Sequence, residues 1–156
     1  MPPLLDLFAN RPLRGPDDSL GFLLWRVTHA WQRFVDDRLQ VCDLTHLQFA
    51  LMIALGWLTR HDEPTTQSEL ITFVDMHPMQ VSQVLSILER KGQISRDRNP
   101  ANGRTKQIAL TASGATALRQ ALPLIEEAHA TFFGSHDAVA DKLRTILRSL
   151  AVRHSG

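Results

Sequence analysis

The sequence has little of what secreted, disulfide-bonded or membrane-spanning proteins need. Its single cysteine, Cys42, cannot form an internal disulfide, so a reducing cytoplasm is the expected compartment. The longest apolar run, residues 49–58, is too short to cross a bilayer as a helix. Residues 1–11 contain prolines and Asp6 where a signal peptide would carry a basic start and a continuous apolar stretch. Secretion and membrane insertion are therefore not expected.

Motifs that carry catalytic or metal chemistry are also lacking. The histidines show neither zinc-binding nor catalytic spacing, and no serine-centred nucleophile turn or glycine-rich phosphate loop is present. Glu126 and His129 have the spacing of a di-iron helix, but such a site needs several helices of this kind, and His129 falls in an apolar stripe. We therefore expect no catalytic residue, no metal site, no cofactor and no enzymatic activity.

The net charge is only +1, but it is unevenly distributed over the 156 residues, a length that suits one domain. Residues 90–106 carry six lysines and arginines against one aspartate, a local charge of +5. The remainder carries eleven lysines and arginines against fifteen acids, a charge of −4. A basic element on a slightly acidic body is typical of a protein that binds a polyanion. A solvated hairpin would look similar, so charge alone leaves both interpretations open.

Apolar periodicity and capping signals predict three helices in the first half of the chain. The first should span about residues 17–39, where apolar side chains recur every three or four positions. The second and third begin at capping boxes, Thr45 with Gln48 and Thr66 with Glu69. A tight three-residue turn follows the third helix.

The second half begins with a helix that should start at Pro78 and end at Gly92, a good left-handed C-cap. Two short strands follow at about residues 93–98 and 105–110, joined by a turn with Asn-Pro and Asn-Gly signals. Thr111 should cap a long helix, and a final helix follows it. The predicted fold is mainly α with a small β wing.

Residues 66–110 have the order of a winged helix-turn-helix, whose second helix enters the DNA major groove. Four apolar residues of that helix should pack inward: Val81, Val84, Leu85 and Leu88. The outer face is left with Met79, Gln80, Ser82, Gln83 and Ser86. Glutamine can bond adenine through two atoms, serine can bond a base edge or a phosphate, and methionine can contact a thymine methyl group. The pattern favours DNA contact over a neutral solvated face.

The wing is predicted to be a second contact point on the duplex. Ile94, Ile108 and Leu110 should pack against the helices. The cations Arg96, Arg98, Arg104 and Lys106 should project away from them. A basic finger of this shape can approach the minor groove, where negative potential attracts arginine.

The stretch PMQVSQVLSILERKGQISRDRNPANGRTKQIALTASG, residues 78–114, resembles the MarR family of winged-helix transcriptional regulators. The matching pieces are the L-E-x-K-G helix end, the R-x-x-N-P entry to the wing, the arginine on its return and the closing L-T-x-x-G. The resemblance implies one MarR-like domain over residues 1–156, with the DNA-binding lobe at residues 45–110. Residues 1–40 and 111–153 would form a helical dimerisation region flanking it.

The resemblance also implies a homodimeric repressor that binds a pseudo-palindromic operator on double-stranded DNA. On the recognition helix Gln80, Ser82 and Gln83, with Met79, would read bases, and Ser86 is also expected to contact DNA. Arg104 matches the family's minor-groove arginine, while Arg90, Arg96, Arg98 and Lys106 would contact phosphates. Asn102 stands where the family usually has an aspartate that braces this arginine, and an amide braces it less strongly. The alternative function is a winged-helix module that binds protein instead of DNA.

Family members often bind small aromatic effectors between the dimer helices and the DNA-binding lobe. Trp25, His29, Trp31 and His46 could line such a cavity, or they could be ordinary core and interface residues. Cys42 does not match the position of the reactive cysteine of peroxide-sensing relatives, and nearby Asp43 would blunt its reactivity. A redox role is therefore not expected.

Overall fold

The computed structural model describes residues 15–61, 63–98, 106–134 and 138–154, apart from the side chains of Arg98, Arg153 and His154. Six α-helices and three strands lie within these residues. The helices are α1 (Leu20–Leu39), α2 (His46–Leu58), α3 (Gln67–Val74), α4 (Pro78–Arg90), α5 (Ala112–Phe133) and α6 (Ala138–His154). The strands are β1 (Thr65–Thr66), β2 (Ile94–Arg98) and β3 (Lys106–Leu110). The predicted order of helices and wing strands is confirmed.

Both predicted capping boxes are formed. The Thr45 hydroxyl accepts a hydrogen bond from the Gln48 backbone N–H at 3.2 Å, and the Gln48 side chain accepts one from the Thr45 N–H at 3.3 Å. Thr66 and Glu69 make the same reciprocal pair at 3.3 and 2.7 Å. Each box satisfies two backbone donors that have no partner inside their own helix, which fixes where α2 and α3 begin.

The helix that carries the predicted recognition face is also bounded as expected. Pro78 is its first residue, and the imidazole of His77 accepts a hydrogen bond from the Met79 N–H at 3.3 Å. Gly92 follows the helix with φ +68°, a backbone conformation that glycine adopts without steric cost. The sharp turn at Gly92 directs the chain straight into β2.

The wing is a three-stranded antiparallel sheet in the order β1-β3-β2, where the sequence predicted two strands. In the β2–β3 pair Arg96 stands opposite Ile108, and on the other side of β3 Thr65 pairs with the same Ile108. The strand β1 has only two residues, too few for an alternating pattern to be visible in the sequence. It joins the base of the wing to the start of α3.

The chain divides into two compact units, residues 1–34 and 35–156. The largest fully buried side chains of the second unit come from the end of α1 and from α2, α3, α4 and β3: Leu39, Leu51, Met52, Leu55, Leu70, Leu85, Leu88 and Ile108. Burying an aliphatic side chain of this size contributes about 1.5–3 kcal/mol. The recognition helix and the wing therefore share one core with the helices that precede them.

No single helix in the described ranges is long and apolar enough to span a membrane. Taken together, the segments 20–42 and 46–58 would be long and apolar enough to span a membrane, but the chain bends by 76° between them. The same ranges contain no group of three or more His, Cys, Asp or Glu side chains arranged to hold a metal ion.

Candidate DNA-binding interface

The two faces of α4 are divided as the sequence predicts. Val81, Val84, Leu85 and Leu88 are all buried. On the opposite side Met79 is 66% exposed, and Gln80 and Gln83 are exposed as well. An exposed methionine beside two exposed glutamines has no packing role, so this face is free to meet another molecule.

Most of the predicted contact residues on α4 line one open surface depression of about 540 Å³. Its lining residues are Met79, Ser82, Gln83, Ser86, Ile87 and Arg90. Gln80 is exposed but lies outside this set, and Ile87 was missed by the sequence analysis. Ile87 is half-buried at the border of the two faces. Helical periodicity does not assign a residue at this border to either face. Glu89 is the only acid of α4, so the depression contains no carboxylate.

The expectation that Arg96 projects away from the wing is wrong. Its side chain is only 9% exposed, and the guanidinium lies against α4. Nη2 donates to the carbonyl oxygen of Ser82 at 3.3 Å and to the Ser86 hydroxyl at 3.4 Å, while Nε lies 3.5 Å from a Glu89 carboxylate oxygen. Residues two apart in a strand share a face, so Arg96 lies on the same inward face of β2 as the buried Ile94. Its long side chain folds back onto the neighbouring helix and buries its stem there. The predicted phosphate contact by Arg96 has no support from this geometry.

Ser86 is engaged by the same group. Its hydroxyl donates to the Ser82 carbonyl oxygen at 2.9 Å and accepts from Arg96. Both of its hydrogen-bonding roles are therefore used inside the protein, although Ser86 lines the depression. The hydroxyl of Ser82 makes no hydrogen bond to another described residue and remains the better candidate for a base or phosphate contact.

A second cation of the basic segment is also held internally. The Lys91 ammonium lies 3.0 Å from a carboxylate oxygen of Asp43, donates to the Asp43 backbone carbonyl and donates to the Gln48 side chain at 3.3 Å. Lys91 thus ties the end of α4 to the turn before α2. Arg90 and Lys106 are the exposed cations of this segment within the described side chains. The basic charge available to DNA is smaller than the residue count suggests.

Comparison with known proteins identifies the family. A sequence model of the MarR family matches residues 44–106. The uncharacterized HTH-type transcriptional regulator YdcH of Bacillus subtilis (strain 168) is 40% identical over 121 residues, which cover 78% of this chain and 82% of YdcH. The chain belongs to the MarR family. It is by family a DNA-binding transcriptional regulator, so the α4 face described above is the natural candidate for DNA contact.

Solved structures support the same fold. A mutant MarR from E. coli complexed with operator DNA has a TM-score of 0.74 at 24% identity, covering 84% of this chain and 92% of the other. CouR from Rhodococcus jostii RHA1, bound to p-coumaroyl-CoA, has a TM-score of 0.74 at 26% identity, covering 89% and 96%. The predicted winged helix-turn-helix fold is confirmed.

The tip of the wing in this MarR-family protein lies outside the described residues. The predicted roles of Asn102 and Arg104 therefore stay predictions, and so does that of the Arg98 side chain. Lys106 is described and exposed at the start of β3, opposite Arg98 in the strand register. Lys106 therefore lies at the end of the strand pair next to the turn of the wing, and its phosphate contact stays a prediction.

The four residues predicted to line an effector cavity belong to different units: Trp25, His29 and Trp31 to residues 1–34, and His46 to residues 35–156. Trp25 and His29 lie one turn apart on α1, with ring centroids 4.4 Å apart. Trp31 packs near Phe34 instead and lies about 120° round the helix from Trp25. His46 is half-buried in the other compact unit, where its backbone N–H donates to the Asp36 carboxylate at 2.6 Å. The effector cavity stays a prediction.

His46 is electrostatically linked to the C-terminal helices. Burial lowers its pKa below the ordinary value of 6.5, Asp36 partly opposes this, and the charge of His129 lowers the pKa further. Burial also lowers the pKa of His129, with a contribution from Arg144. The structure therefore favours neutral imidazoles at His46 of α2 and His129 of α5.

Proposed function

We propose that this MarR-family protein is a sequence-specific repressor that binds a pseudo-palindromic operator as a homodimer. The observation that carries the proposal is the outer face of α4, where Met79, Gln80 and Gln83 are exposed and no acid intervenes. A helix fits the major groove, and glutamine can donate to and accept from the adenine edge at once. Uncharged polar side chains of this kind are suited to base contacts, and the absence of a carboxylate among them avoids repulsion from the DNA phosphates.

Phosphate contacts in this proposal come from both ends of the interface. Arg90 is exposed in the last turn of α4 and borders the depression, and Lys106 is exposed at the end of β3 next to the turn of the wing. Arg98 and Arg104 would add contacts from the wing, with Arg104 entering the minor groove. Phosphate contacts position the protein on the duplex, and base contacts supply the sequence preference.

The dimer part of the proposal is supported by α6. Leu143, Ile146, Leu147 and Leu150 are 37–48% exposed along one stripe of this helix. A cavity of about 430 Å³ opens between α5 and α6, and its lining combines Phe133, Leu143 and Leu147 with the polar side chains of Glu126, His129, Arg144 and Arg148. A stripe of large aliphatic side chains in water is costly, and burial against the same stripe of a second copy removes it from solvent.

The dimer is tested by sedimentation of the wild type and of Ile146→Glu, which places a charge in the stripe. The variant should sediment as a monomer and lose operator affinity. Thr145→Glu adds the same charge on the opposite side of α6 and should remain dimeric. An Ile146→Glu protein that stays dimeric would contradict this interface.

DNA binding itself is tested by gel shift against random duplex at low salt, followed by selection of genomic fragments bound by the purified protein. Binding of random duplex and enrichment of an inverted-repeat sequence are expected. A protein that binds no duplex in dilute buffer would instead favour the winged-helix protein-interaction module. Transcription of a template carrying the selected site, with and without the protein, then establishes the sign of regulation.

Release by a small-molecule effector is the last part of the proposal. It is supported by the likeness to CouR, whose structure holds p-coumaroyl-CoA. An effector can act only if it prefers a dimer geometry whose recognition helices mismatch the operator. A panel of aromatic acids and aromatic acyl-CoA thioesters should contain a compound that lowers operator affinity, and Trp25→Ala or His46→Ala should weaken its effect.

A further inference from the structure

We propose that Arg96 is a positioning residue that fixes the recognition helix relative to the wing and thereby sets sequence preference, without contacting DNA itself. This inference rests on the proposed function, because it concerns how α4 and the wing act on one duplex. Sequence considerations had placed Arg96 among the phosphate contacts. The structure gives its guanidinium a different set of partners.

Arg96 contacts α4 at three positions on one side of the helix. These are the Ser82 carbonyl oxygen at 3.3 Å, the Ser86 hydroxyl at 3.4 Å and the Glu89 carboxylate at 3.5 Å. Ser82, Ser86 and Glu89 follow one another at intervals of four and three residues, so they lie on one side of α4. Nη2 donates to the first two, whereas Nε forms an ion pair with Glu89 and makes no hydrogen bond to a described residue. A planar guanidinium presents its donors from fixed positions, whereas a lysine ammonium acts as a single point charge.

The other end of the Arg96 side chain is anchored in the wing. Arg96 pairs in the sheet with Ile108, which is 1% exposed and belongs to the core. The residue therefore connects a fixed point of the sheet to nearly two turns of α4. Because β2 leads directly to the wing tip, a change in this connection changes the relative placement of the two predicted DNA-contacting elements.

The contact points of Arg96 coincide with the predicted base-reading surface. Ser82 and Ser86 both line the depression on α4, next to Gln83. The Ser82 carbonyl oxygen accepts from both Ser86 and Arg96, so the backbone of α4 is held at the position that carries the reading side chains. Hydrogen bonds to base edges depend on distance and angle, so a small shift of this backbone weakens them.

A direct phosphate contact by Arg96 is disfavoured by the same geometry. The side chain is 9% exposed, and reaching a phosphate would break its contacts with Ser82, Ser86 and Glu89. Glu89 is 44% exposed, so the contacts that hold Arg96 in place are chiefly those with Ser82 and Ser86. The two roles make different predictions for salt dependence, since only a phosphate contact releases counterions.

The test uses the full-length protein, its selected operator and a random duplex of equal length, titrated over a series of salt concentrations. Arg96→Lys keeps the charge but not the planar donor set, and Ser86→Ala removes one partner without changing charge. Each should lower operator affinity, with Arg96→Lys losing about tenfold, the scale of one mismatched base pair. Random-duplex affinity and the salt slope of Arg96→Lys should stay at wild-type values. The two substitutions should also be non-additive in the double variant, since they remove one shared contact.

Two control variants separate the possible outcomes. Lys106→Ala should lower affinity for both duplexes and reduce the salt slope, because it removes a phosphate contact. Arg119→Met removes an exposed charge on α5 and should change neither the affinities nor the salt slope. If Arg96→Lys retains operator affinity, or if Arg96→Met lowers the salt slope as Lys106→Ala does, the positioning role is overturned. A thermal melt of each variant gives its folded fraction, and operator affinity is expressed per folded protein. A substitution that only destabilised the fold would leave this corrected affinity unchanged.

The wild-type titration separates failure of this inference from failure of the proposed function. A wild type that binds neither duplex overturns both. A wild type that prefers its operator, together with Arg96 variants that prefer it equally, overturns only the role of Arg96. Loss of preference with intact random-duplex binding supports both.

Discussion

The carbonyl oxygen of Gln93 lies 2.0 Å from the point where a Cβ on Gly114 would stand. The same carbonyl accepts a hydrogen bond from the Thr111 N–H at 3.1 Å, and the Thr111 hydroxyl donates to the Gly92 carbonyl at 2.7 Å. The first turn of α5 is thus packed directly on the turn between α4 and β2. Only glycine permits this approach, which gives a physical reason for the glycine in the L-T-x-x-G segment.

Gly114→Ala is therefore expected to lower the free energy of unfolding by about 1–3 kcal/mol, because the added methyl group must displace backbone. Urea unfolding followed by circular dichroism measures the change. Gly21→Ala is the matched control, since only the Ser19 hydroxyl at 4.0 Å lies near its Cβ position and alanine favours a helix by up to about 1 kcal/mol. Equal midpoints for Gly114→Ala and the wild type would contradict the close packing.

Gln83→Ala tests base contact by α4. Gln83 is exposed and lines the depression, so its loss should weaken operator binding by about 1–3 kcal/mol and relax the preference at one base position. Selection of bound fragments by the variant shows the relaxed position. Gln120→Ala removes the same side chain from an exposed position on α5 and should leave both affinity and preference unchanged. An unaltered preference after Gln83→Ala would remove this residue from the reading set.

Salt dependence tests the electrostatic part of the proposal. About three phosphate contacts per subunit predict that log affinity falls with log salt concentration with a slope of about −5 for the dimer. Arg90→Ala or Lys106→Ala should each reduce the steepness by about 2, because each substitution removes one contact from both subunits. Fluorescence anisotropy over a salt series measures the slope, and a flat profile would show that phosphate contacts contribute little.

Acidification should destabilise the protein through His46 and His129. Burial is the main cause that lowers the pKa of each imidazole below 6.5, so the unfolded chain binds these protons first as the pH falls. The stabilisation is complete above about pH 6.5 and is lost as the pH falls through the lowered values. Melting temperatures measured between pH values of about 7.5 and 5.5 should therefore fall, and less so in a His46→Gln, His129→Gln double variant. If the melting temperature of the double variant fell as much as that of the wild type, other titrating groups would be responsible for the effect.

Several local features were predictable because their partners are near in the sequence. The capping boxes at Thr45 and Thr66 join residues three positions apart, and the starts of α2 and α3 follow from them. Gly92 marks the end of α4 because few other residues adopt its φ of +68°. Periodicity likewise divided α4 into a buried and an exposed face, since one helix turn repeats every 3.6 residues or so.

Other features were decided by the tertiary structure alone. The strand β1 has two residues and exists only because β3 lies beside it. Arg96 and Lys91 looked like free cations of a basic segment, but their partners lie 14 and 48 residues away along the chain. Local pattern fixes where helices begin and which face is apolar, because those depend on near neighbours. Whether a long cationic side chain meets solvent or a distant carbonyl depends on which segments the shared core brings together.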